Sequence, residues 1–128
     1  MNVLLDTHAF LWWITDDPEL SETARNIIED SGNTLYWSAA SSWEVAIKYA
    51  LGRLPLPEEP EKFIPPELTK NRIESLLITD EHAFHTRQLP HHHKDPFDRM
   101  LIAQARTESL ILLSCDSTFN LYEVDVKW

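Results

Sequence analysis

Four acidic residues lie where strands are expected to end or helices to begin. Asp6 closes the first apolar run, Glu44 lies within a helical pattern, Asp98 opens another helix, and Asp116 follows a later apolar run. In an open α/β sheet the ligand crevice lies beyond the carboxyl ends of the strands, so Asp6 and Asp116 are neighbours if their strands are adjacent. Clustered carboxylates either share a proton or bind a hard divalent ion, which prefers oxygen ligands. The pattern favours the metal ion.

Each of these acids also has a purely structural interpretation. Asp6 can cap the helix that follows it, and Asp116 can close an Asx-turn. Glu44 fits a capping box that begins at Ser41, and it also fits an i, i+4 ion pair with Lys48. No single acid therefore identifies a site.

Asp95 and Asp98 occupy the first turn of a predicted helix, where the helix dipole stabilises negative charge by about 0.3–1 kcal/mol. Their spacing also places both on one helix face, which suits binding of a shared ion. The structural interpretation explains each acid separately. The coincidence of Asp6, Glu44, Asp98 and Asp116 in one chain indicates a shared site.

The charge of the chain restricts the classes of function. Its 128 residues carry a formal net charge of −10, from 21 acidic residues against 11 lysines and arginines. This charge weighs against a general nucleic-acid binder, which is typically basic. It weighs less against a metallonuclease, because bound metal ions supply positive charge where a phosphate docks.

The cysteine count and the N-terminus indicate a compartment. The single cysteine, Cys115, excludes an intramolecular disulfide and suits a reducing environment. The N-terminus reaches an acid before a signal-peptide core could form, and no apolar stretch approaches the roughly 20 residues that span a membrane. We therefore expect a cytoplasmic protein without membrane contact, formed as one domain over residues 1–128.

Strand and helix patterns alternate along the chain. Apolar runs predict strands at 3–5, 34–37, 73–78, 110–114 and 122–126. Helical spacing and caps predict helices at 9–14, 21–29, 38–51, 79–88 and 95–109, with Gly52 just past the third. Five prolines between residues 54 and 66 predict an irregular connector, with or without a short helix. Such alternation is typical of a parallel sheet covered by helices on both faces.

Four separated segments resemble one protein family and occur in that family's order. They are Leu4–Trp13, Ser38–Lys48, His93–Ala105 and Ser114–Asp116. In these segments the chain is similar to the PIN-domain toxins of the VapC type. The third segment contains Asp-Pro-Phe-Asp-Arg at residues 95–99, which is typical of one subgroup. Because four motifs match rather than one, the resemblance is specific.

The resemblance implies a PIN-like three-layer α/β/α sandwich with a central parallel sheet. It also implies a Mg²⁺- or Mn²⁺-dependent endoribonuclease that hydrolyses RNA and is the toxin of a toxin–antitoxin pair, with a VapB-like antitoxin and a homodimer. Carried over by position, the catalytic and metal-binding acids are Asp6, Glu44, Asp98 and Asp116. Asp95 is a further metal ligand of the subgroup and ranks behind Asp98.

The ligand types determine the expected mechanism. Oxygen-only coordination selects Mg²⁺ or Mn²⁺ over Zn²⁺. A water made more acidic by the ion would attack the scissile phosphate in line, so no protein nucleophile is needed. Arg99, Lys48 and Arg53 are the basic residues nearest to the acids in sequence. Each is either a phosphate contact or a member of a solvated ion pair.

Other residues are weaker candidates. Three consecutive histidines, His91–His93, in a proline-flanked loop do not present the tetrahedral ligand set of a zinc site. Cys115 is expected to be a small apolar strand residue. The five tryptophans are expected mostly in the core, Trp43 in particular because of its helical spacing. Any remaining aromatic residues are expected to line an antitoxin groove or a dimer face.

Two other functions are compatible with these residues. A phosphatase of the haloacid dehalogenase type also uses a strand-end aspartate, but it requires a second acid two residues later, where this chain has His8. A non-catalytic metal-binding or protein-binding module, such as a receiver-like domain or a degenerate PIN domain, requires no turnover. Phosphorylation by a small phosphodonor would identify a receiver. A degenerate PIN domain would lack one of the four acids, and this chain retains them.

Overall fold

A computed structural model of the protein describes residues 1–128 and shows five strands and six α-helices. The strands are β1 (Asn2–Leu5), β2 (Thr34–Ser38), β3 (Ile73–Leu76), β4 (Ile111–Leu113) and β5 (Val126–Lys127). The helices are α1 (Thr7–Ile14), α2 (Glu22–Glu29), α3 (Ala39–Ala50), α4 (Pro60–Lys70), α5 (Asp80–His85) and α6 (Pro96–Thr107). Short 3₁₀ helices lie at Thr86–Gln88 and Ser117–Leu121. None of the helices has the length and apolar character needed to cross a membrane.

All five strands form one parallel sheet with the order β3-β2-β1-β4-β5. Strands β2 and β3 extend the sheet on one side of β1, and β4 and β5 extend it on the other. The topological switch therefore lies between β1 and β4, where an open parallel sheet forms its ligand crevice. Residues that follow these two strands lie side by side at the carboxyl edge of the sheet.

Alternate side chains of the central strand enter separate apolar clusters on the two faces of the sheet. Val3 and Leu5 join a cluster to which α1 to α4 contribute, and Leu4 joins a cluster formed mainly by α6 and the segments around β4. Helices therefore cover both faces, as strands buried on both sides require. The predicted α/β/α sandwich with a central parallel sheet is confirmed.

A buried polar contact joins the end of β2 to α6. Ser38 Oγ donates to Gln104 Oε1 at 2.6 Å, and both residues are fully buried. Ser38 also caps α3, since its Oγ accepts from Ala40 N. The contact therefore fixes the start of α3 relative to α6, and these two helices carry Glu44 and Asp98.

The proline-rich connector contains a longer helix than the sequence predicts. Helix α4 spans Pro60–Lys70 even though two further prolines lie inside it. Pro60 stands in the first turn, where its missing N–H is no loss. Ile64 and Leu68, one turn apart, are buried in the apolar cluster, and this burial outweighs the backbone hydrogen bonds that the internal prolines remove. The last strand also differs, since β5 begins at 126 rather than 122.

Two side chains lie on the surface, contrary to prediction. Trp43 is 61% exposed and packs edge-on against Phe97. Helix α3 instead buries the polar residues Ser41 and Glu44. A prediction based on the spacing of apolar residues cannot identify a buried face that is polar. Cys115 is exposed because β4 ends before it.

The burial of Leu112 in β4 predicts how much a truncation in the core lowers the stability of the protein. Leu112 is fully buried, whereas Leu121 in the following 3₁₀ helix is 61% exposed. We expect Leu112→Ala to lower the free energy of unfolding by about 2–5 kcal/mol, because it leaves a cavity in the core. Leu121→Ala removes the same atoms from the surface and should cost less than about 0.5 kcal/mol. Urea denaturation measures both values, and equal losses would contradict the packing.

Candidate active site

Asp6 directly follows β1 and is held at the switch point of the sheet. Its backbone N–H donates to Leu113 O at 3.0 Å, which ties Asp6 to the end of β4. The residue is 7% exposed, and its carboxylate accepts two hydrogen bonds at 2.7 Å, from Thr7 N to Oδ1 and from Ser114 Oγ to Oδ2. Asp6 is also the N-cap of α1. The cap and the place in the crevice are therefore compatible roles of one side chain.

Glu44 lies on the inward face of α3 and is 4% exposed. Thr7 Oγ1 donates to Oε1 and Lys48 Nζ donates to Oε2, both at 2.6 Å. The predicted ion pair with Lys48 is confirmed. The predicted capping box is wrong, because Ser38 is the residue that caps α3. Thr7 directly follows Asp6, so it links the two acids.

Asp95 and Asp98 serve different roles in the first turn of α6. Asp95 is the N-cap, and its Oδ1 accepts from Phe97 N at 2.8 Å and from Asp98 N at 3.2 Å. Asp98 Oδ2 lies 3.0 Å from His93 Nε2. Asp95 therefore starts the helix with one oxygen, while Asp98 presents its carboxyl group to the other acids.

Asp116 follows β4 and closes the predicted Asx-turn. Its Oδ1 accepts from Thr118 N at 2.9 Å, and its Oδ2 lies 3.0 Å from His93 Nε2. Burial raises the pKa of Asp116, but the hydrogen bonds from Thr118 and His93 outweigh it and hold the pKa below its usual value. One ligand atom from each of His93, Asp98 and Asp116 lies within 4.8 Å of the others.

The other four predicted acids lie close enough to Asp98 to act on its pKa. The pKa of Asp98 is raised to about 8, first by burial and then by the charges of the other four. Burial also raises the pKa of Asp6, against the effect of the hydrogen bond from Ser114. At neutral pH and without a counter-ion, Asp98 therefore keeps its proton.

The donor set fits a hard divalent cation. Carboxylate oxygens predominate, and one carboxyl group stays neutral unless a cation compensates its charge. Mg²⁺ and Mn²⁺ prefer oxygen ligands, whereas structural zinc sites use cysteine and histidine. Among the acids, Asp98 and Asp116 offer ligand oxygens within 4.8 Å of each other. Glu44 is already paired with Lys48.

Lys48 is the basic side chain that lies nearest to the acids in the structure. Burial lowers the pKa of Lys48, but the hydrogen bond and the charge of Glu44 outweigh this effect and raise it. The charges of Asp95 and Asp98 act in the same direction. Lys48 is therefore a firmly protonated ammonium beside the cluster. Arg53 lies exposed just beyond α3.

Arg99 is turned toward the protein backbone. Its guanidinium donates to the carbonyl oxygens of Thr86, Leu89 and Pro90 at distances from 2.8 to 3.3 Å. These contacts hold the segment that leads into α6. This is a different role from the phosphate contact that the sequence suggested.

His93 is the site residue that sequence reasoning missed. The three histidines do not form a zinc site together, since His91 and His92 are exposed while His93 turns toward Asp98 and Asp116. The available signal was the position of His93 two residues before Asp95. A residue two positions before a helix cap can lie beside the first turn of that helix, as His93 does here.

A comparison with protein-family models adds the family. The model of the PIN domain matches residues 3–125. The chain belongs to the PIN domain family. In this PIN domain the acidic cluster lies at the carboxyl edge of the sheet, beyond the switch point between β1 and β4.

The PIN domain is similar in sequence to a protein named as a ribonuclease. A segment of 63 residues is 38% identical to Ribonuclease VapC16 of Mycobacterium tuberculosis. The match covers 49% of this chain and 45% of that protein, so it spans less than half of the relative's length.

Two solved structures share the fold of the PIN domain along nearly the whole chain. DNA-bound VapBC from Salmonella typhimurium has a TM-score of 0.73 at 18% identity, with 99% of this chain and 97% of that chain covered. VapBC2 from Rickettsia felis, bound to a DNA fragment from their promoter, has a TM-score of 0.72 at 16% identity, with 99% and 98% covered. At such identities the likeness establishes the fold alone.

The raised pKa of Asp98 makes the stability of the metal-free PIN domain depend on pH. Between the usual value of 3.8 and the folded value of about 8, the folded state retains a proton that the unfolded chain releases. Stability therefore falls as pH rises through this window. Asp98→Asn removes the part of this pH dependence that is due to Asp98, while the raised pKa of Asp6 keeps its own part, and it should raise the free energy of unfolding at pH 7 by about 1–3 kcal/mol.

Urea denaturation in EDTA at two pH values inside this window measures the effect. The matched control is Asp125→Asn, which neutralises an exposed acid before β5 and should leave the pH dependence unchanged. A wild-type stability that rises with pH across the window would contradict the described cluster.

Proposed function

We propose that this chain is a cytoplasmic, Mg²⁺- or Mn²⁺-dependent endoribonuclease and the toxin of a VapBC-like toxin–antitoxin pair, in the subgroup with Asp-Pro-Phe-Asp-Arg. The observation that carries the proposal is the grouping of four acids around Asp98 near the switch point, which leaves Asp98 neutral unless a cation is present. Family membership and the similarity to Ribonuclease VapC16 support the reaction class.

The five acids have two proposed roles, as ligands of the ion and as further oxygen donors beside it. Asp6, Asp98 and Asp116 would hold the ion, with Asp95 and Glu44 beside them as further oxygen donors. When bound, the ion supplies an activated water and stabilises charge on the phosphate oxygens. The protein supplies no nucleophile of its own in this proposal.

Protein donors orient the carboxylates before any substrate arrives. Ser114 Oγ and Thr7 N donate to the two oxygens of Asp6, and Thr7 Oγ1 donates to Glu44. Each carboxylate oxygen has two lone pairs, so a protein donor on one side leaves room for an ion on the other. This preorganisation reduces the rearrangement that ion binding requires.

Lys48 is the proposed phosphate contact. Its side chain is 40% exposed, and its Nζ is held 2.6 Å from Glu44 Oε2. A phosphate that binds next to the ion would meet an ammonium that is already in place. The net charge of −10 offers no general attraction to RNA, so binding depends on the ion and on local cations such as Lys48, with exposed Arg53 further along the chain.

We further propose a VapB-like antitoxin and a second copy of the chain as partners. Several large apolar side chains are 60–71% exposed, and such surface often marks protein interfaces. They are Trp43, Leu51, Leu77, Phe84 and Leu121. The structural neighbours named VapBC support the same class of partner.

Purified, partner-free protein should cleave single-stranded RNA into discrete fragments with Mg²⁺ or Mn²⁺ and should be inactive in EDTA. Asp6→Asn should lower the cleavage rate at least about 100-fold, because an ion contributes several kcal/mol of transition-state stabilisation. Asparagine retains the N-cap of α1, so the variant is expected to fold.

The control for this assay is Asp125→Asn, which should cleave at the wild-type rate. Gel analysis of end-labelled RNA measures the rates, and circular dichroism checks the fold. Fragments that persist in EDTA, or in a folded Asp6→Asn variant, would contradict the proposal. Cleavage of single-stranded DNA at an equal rate would contradict RNA as the substrate class.

Expression of the chain without a partner in a bacterial host should arrest growth, since a toxin of this kind degrades cellular RNA. Asp6→Asn should relieve the arrest, and so should co-expression of the small protein encoded by an adjacent reading frame. Growth curves and protein levels measure both effects. Equal arrest by wild type and Asp6→Asn at matched expression would contradict toxicity by RNA cleavage.

A further inference from the structure

One side chain contacts both Asp98 and Asp116 and is not itself an acid. His93 Nε2 lies 3.0 Å from Asp98 Oδ2 and 3.0 Å from Asp116 Oδ2. The His93 side chain is only 16% exposed. Asp98 is on α6 and Asp116 follows β4, so this imidazole bridges two elements of the fold at the acidic cluster.

A backbone contact determines which ring nitrogen carries the proton. Asp95 N donates to His93 Nδ1 at 3.2 Å. A backbone N–H can only donate, so Nδ1 must be the unprotonated acceptor, and the proton of the neutral ring is on Nε2. His93 Nε2 therefore donates its N–H to Asp116 Oδ2, and Asp98 Oδ2 lies at the same distance from this nitrogen.

The ring is also fixed from its other sides. His93 N donates to Tyr122 Oη at 2.7 Å, and the ring lies 5.7 Å from the ring of Phe119 at an angle of 30°. Arg99, which holds the preceding segment, lies 3.5 Å from Tyr122 Oη. These contacts set the direction in which Nε2 points.

We propose that His93 is a positioning residue that donates its Nε2–H to Asp116, lies in contact with Asp98, and holds both carboxyl groups for the divalent ion without binding the ion itself. The inference rests on the proposed metal site. A carboxylate oxygen has lone pairs for both the N–H and the ion, so the two contacts can coexist. Outer donors of this kind typically contribute about 10–100-fold to metal affinity.

The tautomer disfavours direct ligation by His93. An imidazole binds a metal through an unprotonated nitrogen, so ligation by Nε2 would require the proton to move to Nδ1. Nδ1–H would then face the backbone N–H of Asp95, and two donors would meet at a distance of 3.2 Å. The hydrogen bond that orients the ring would be lost.

Three substitutions separate the donor from the rest of the side chain. His93→Gln places an amide N–H near the position of Nε2 and retains the donor. His93→Asn places its amide near the position of Nδ1, from which no donor reaches the acids, and His93→Ala removes both groups. Calorimetric titration with Mn²⁺ should give a Kd within about 3-fold of wild type for the Gln variant and about 10–100-fold weaker binding for the Asn and Ala variants.

Magnetic resonance reports directly on whether the ring of His93 binds the ion and on which ring nitrogen carries the proton. A general loss of structure would not produce the signals expected for the proposed role. In the Mn²⁺-loaded wild type, pulsed electron paramagnetic resonance should show no directly coordinated imidazole ¹⁴N. In the Mg²⁺-loaded protein, ¹⁵N NMR of the histidine rings should place the proton of His93 on Nε2, with the signals identified by their loss in His93→Gln.

The outcomes are distinct. A coordinated ¹⁴N signal that disappears in His93→Ala would show that His93 is a ligand and overturn the inference. Unchanged Mn²⁺ affinity in a folded His93→Ala variant would show that the donor is not needed, and it would also overturn the inference. A wild type that binds no Mn²⁺ would overturn the metal site and, with it, the inference. Rescue by Gln, but not by Asn, together with an Nε2 proton would support the proposal.

Discussion

The rest of the structure depends on holding several carboxyl groups close together in a region where their charges are poorly screened. Four acids from different parts of the chain act on Asp98, whose pKa reaches about 8 because of burial and these four charges. Repulsion of this kind would force the elements apart if nothing opposed it. The opposing interactions are buried hydrogen bonds to the acids and the two apolar clusters that cover the sheet.

The elements that carry the acids are tied to one another independently of any ion. Asp6 N bonds to Leu113 O across the switch point, and Ser38 joins Gln104 between the start of α3 and the middle of α6. Thr7 connects the first turn of α1 to Glu44. The geometry of the cluster is therefore set mainly by the fold, and binding of a cation need only relieve the repulsion that remains.

Much of this arrangement follows from sequence because it rests on local patterns. Alternating apolar runs and helix caps predict the parallel sheet, and the positions of Asp6, Asp98 and Asp116 at element ends predict their convergence. Trp43 shows where such patterns fail: α3 buries Glu44, so apolar spacing marks the wrong face. Helix α4 depends on the burial of Ile64 and Leu68 in the apolar cluster on the sheet. This burial cannot be predicted from the local sequence of the helix. His93 is recognisable only when the segments after β4 and before α6 are seen together.

The acids that cap helices restrict how this sequence can change over evolution. Asp6 and Asp95 each use at least one oxygen to accept backbone N–H groups, and Asp116 does the same for the 3₁₀ helix that follows it. A substitution by an apolar residue would remove both the charge and the hydrogen bond that caps the helix. Asparagine preserves the cap and removes only the charge. Descendants that lose the charge but keep the fold should therefore pass through asparagine, or serine, at these positions, so such residues in a related sequence would record a former acidic site.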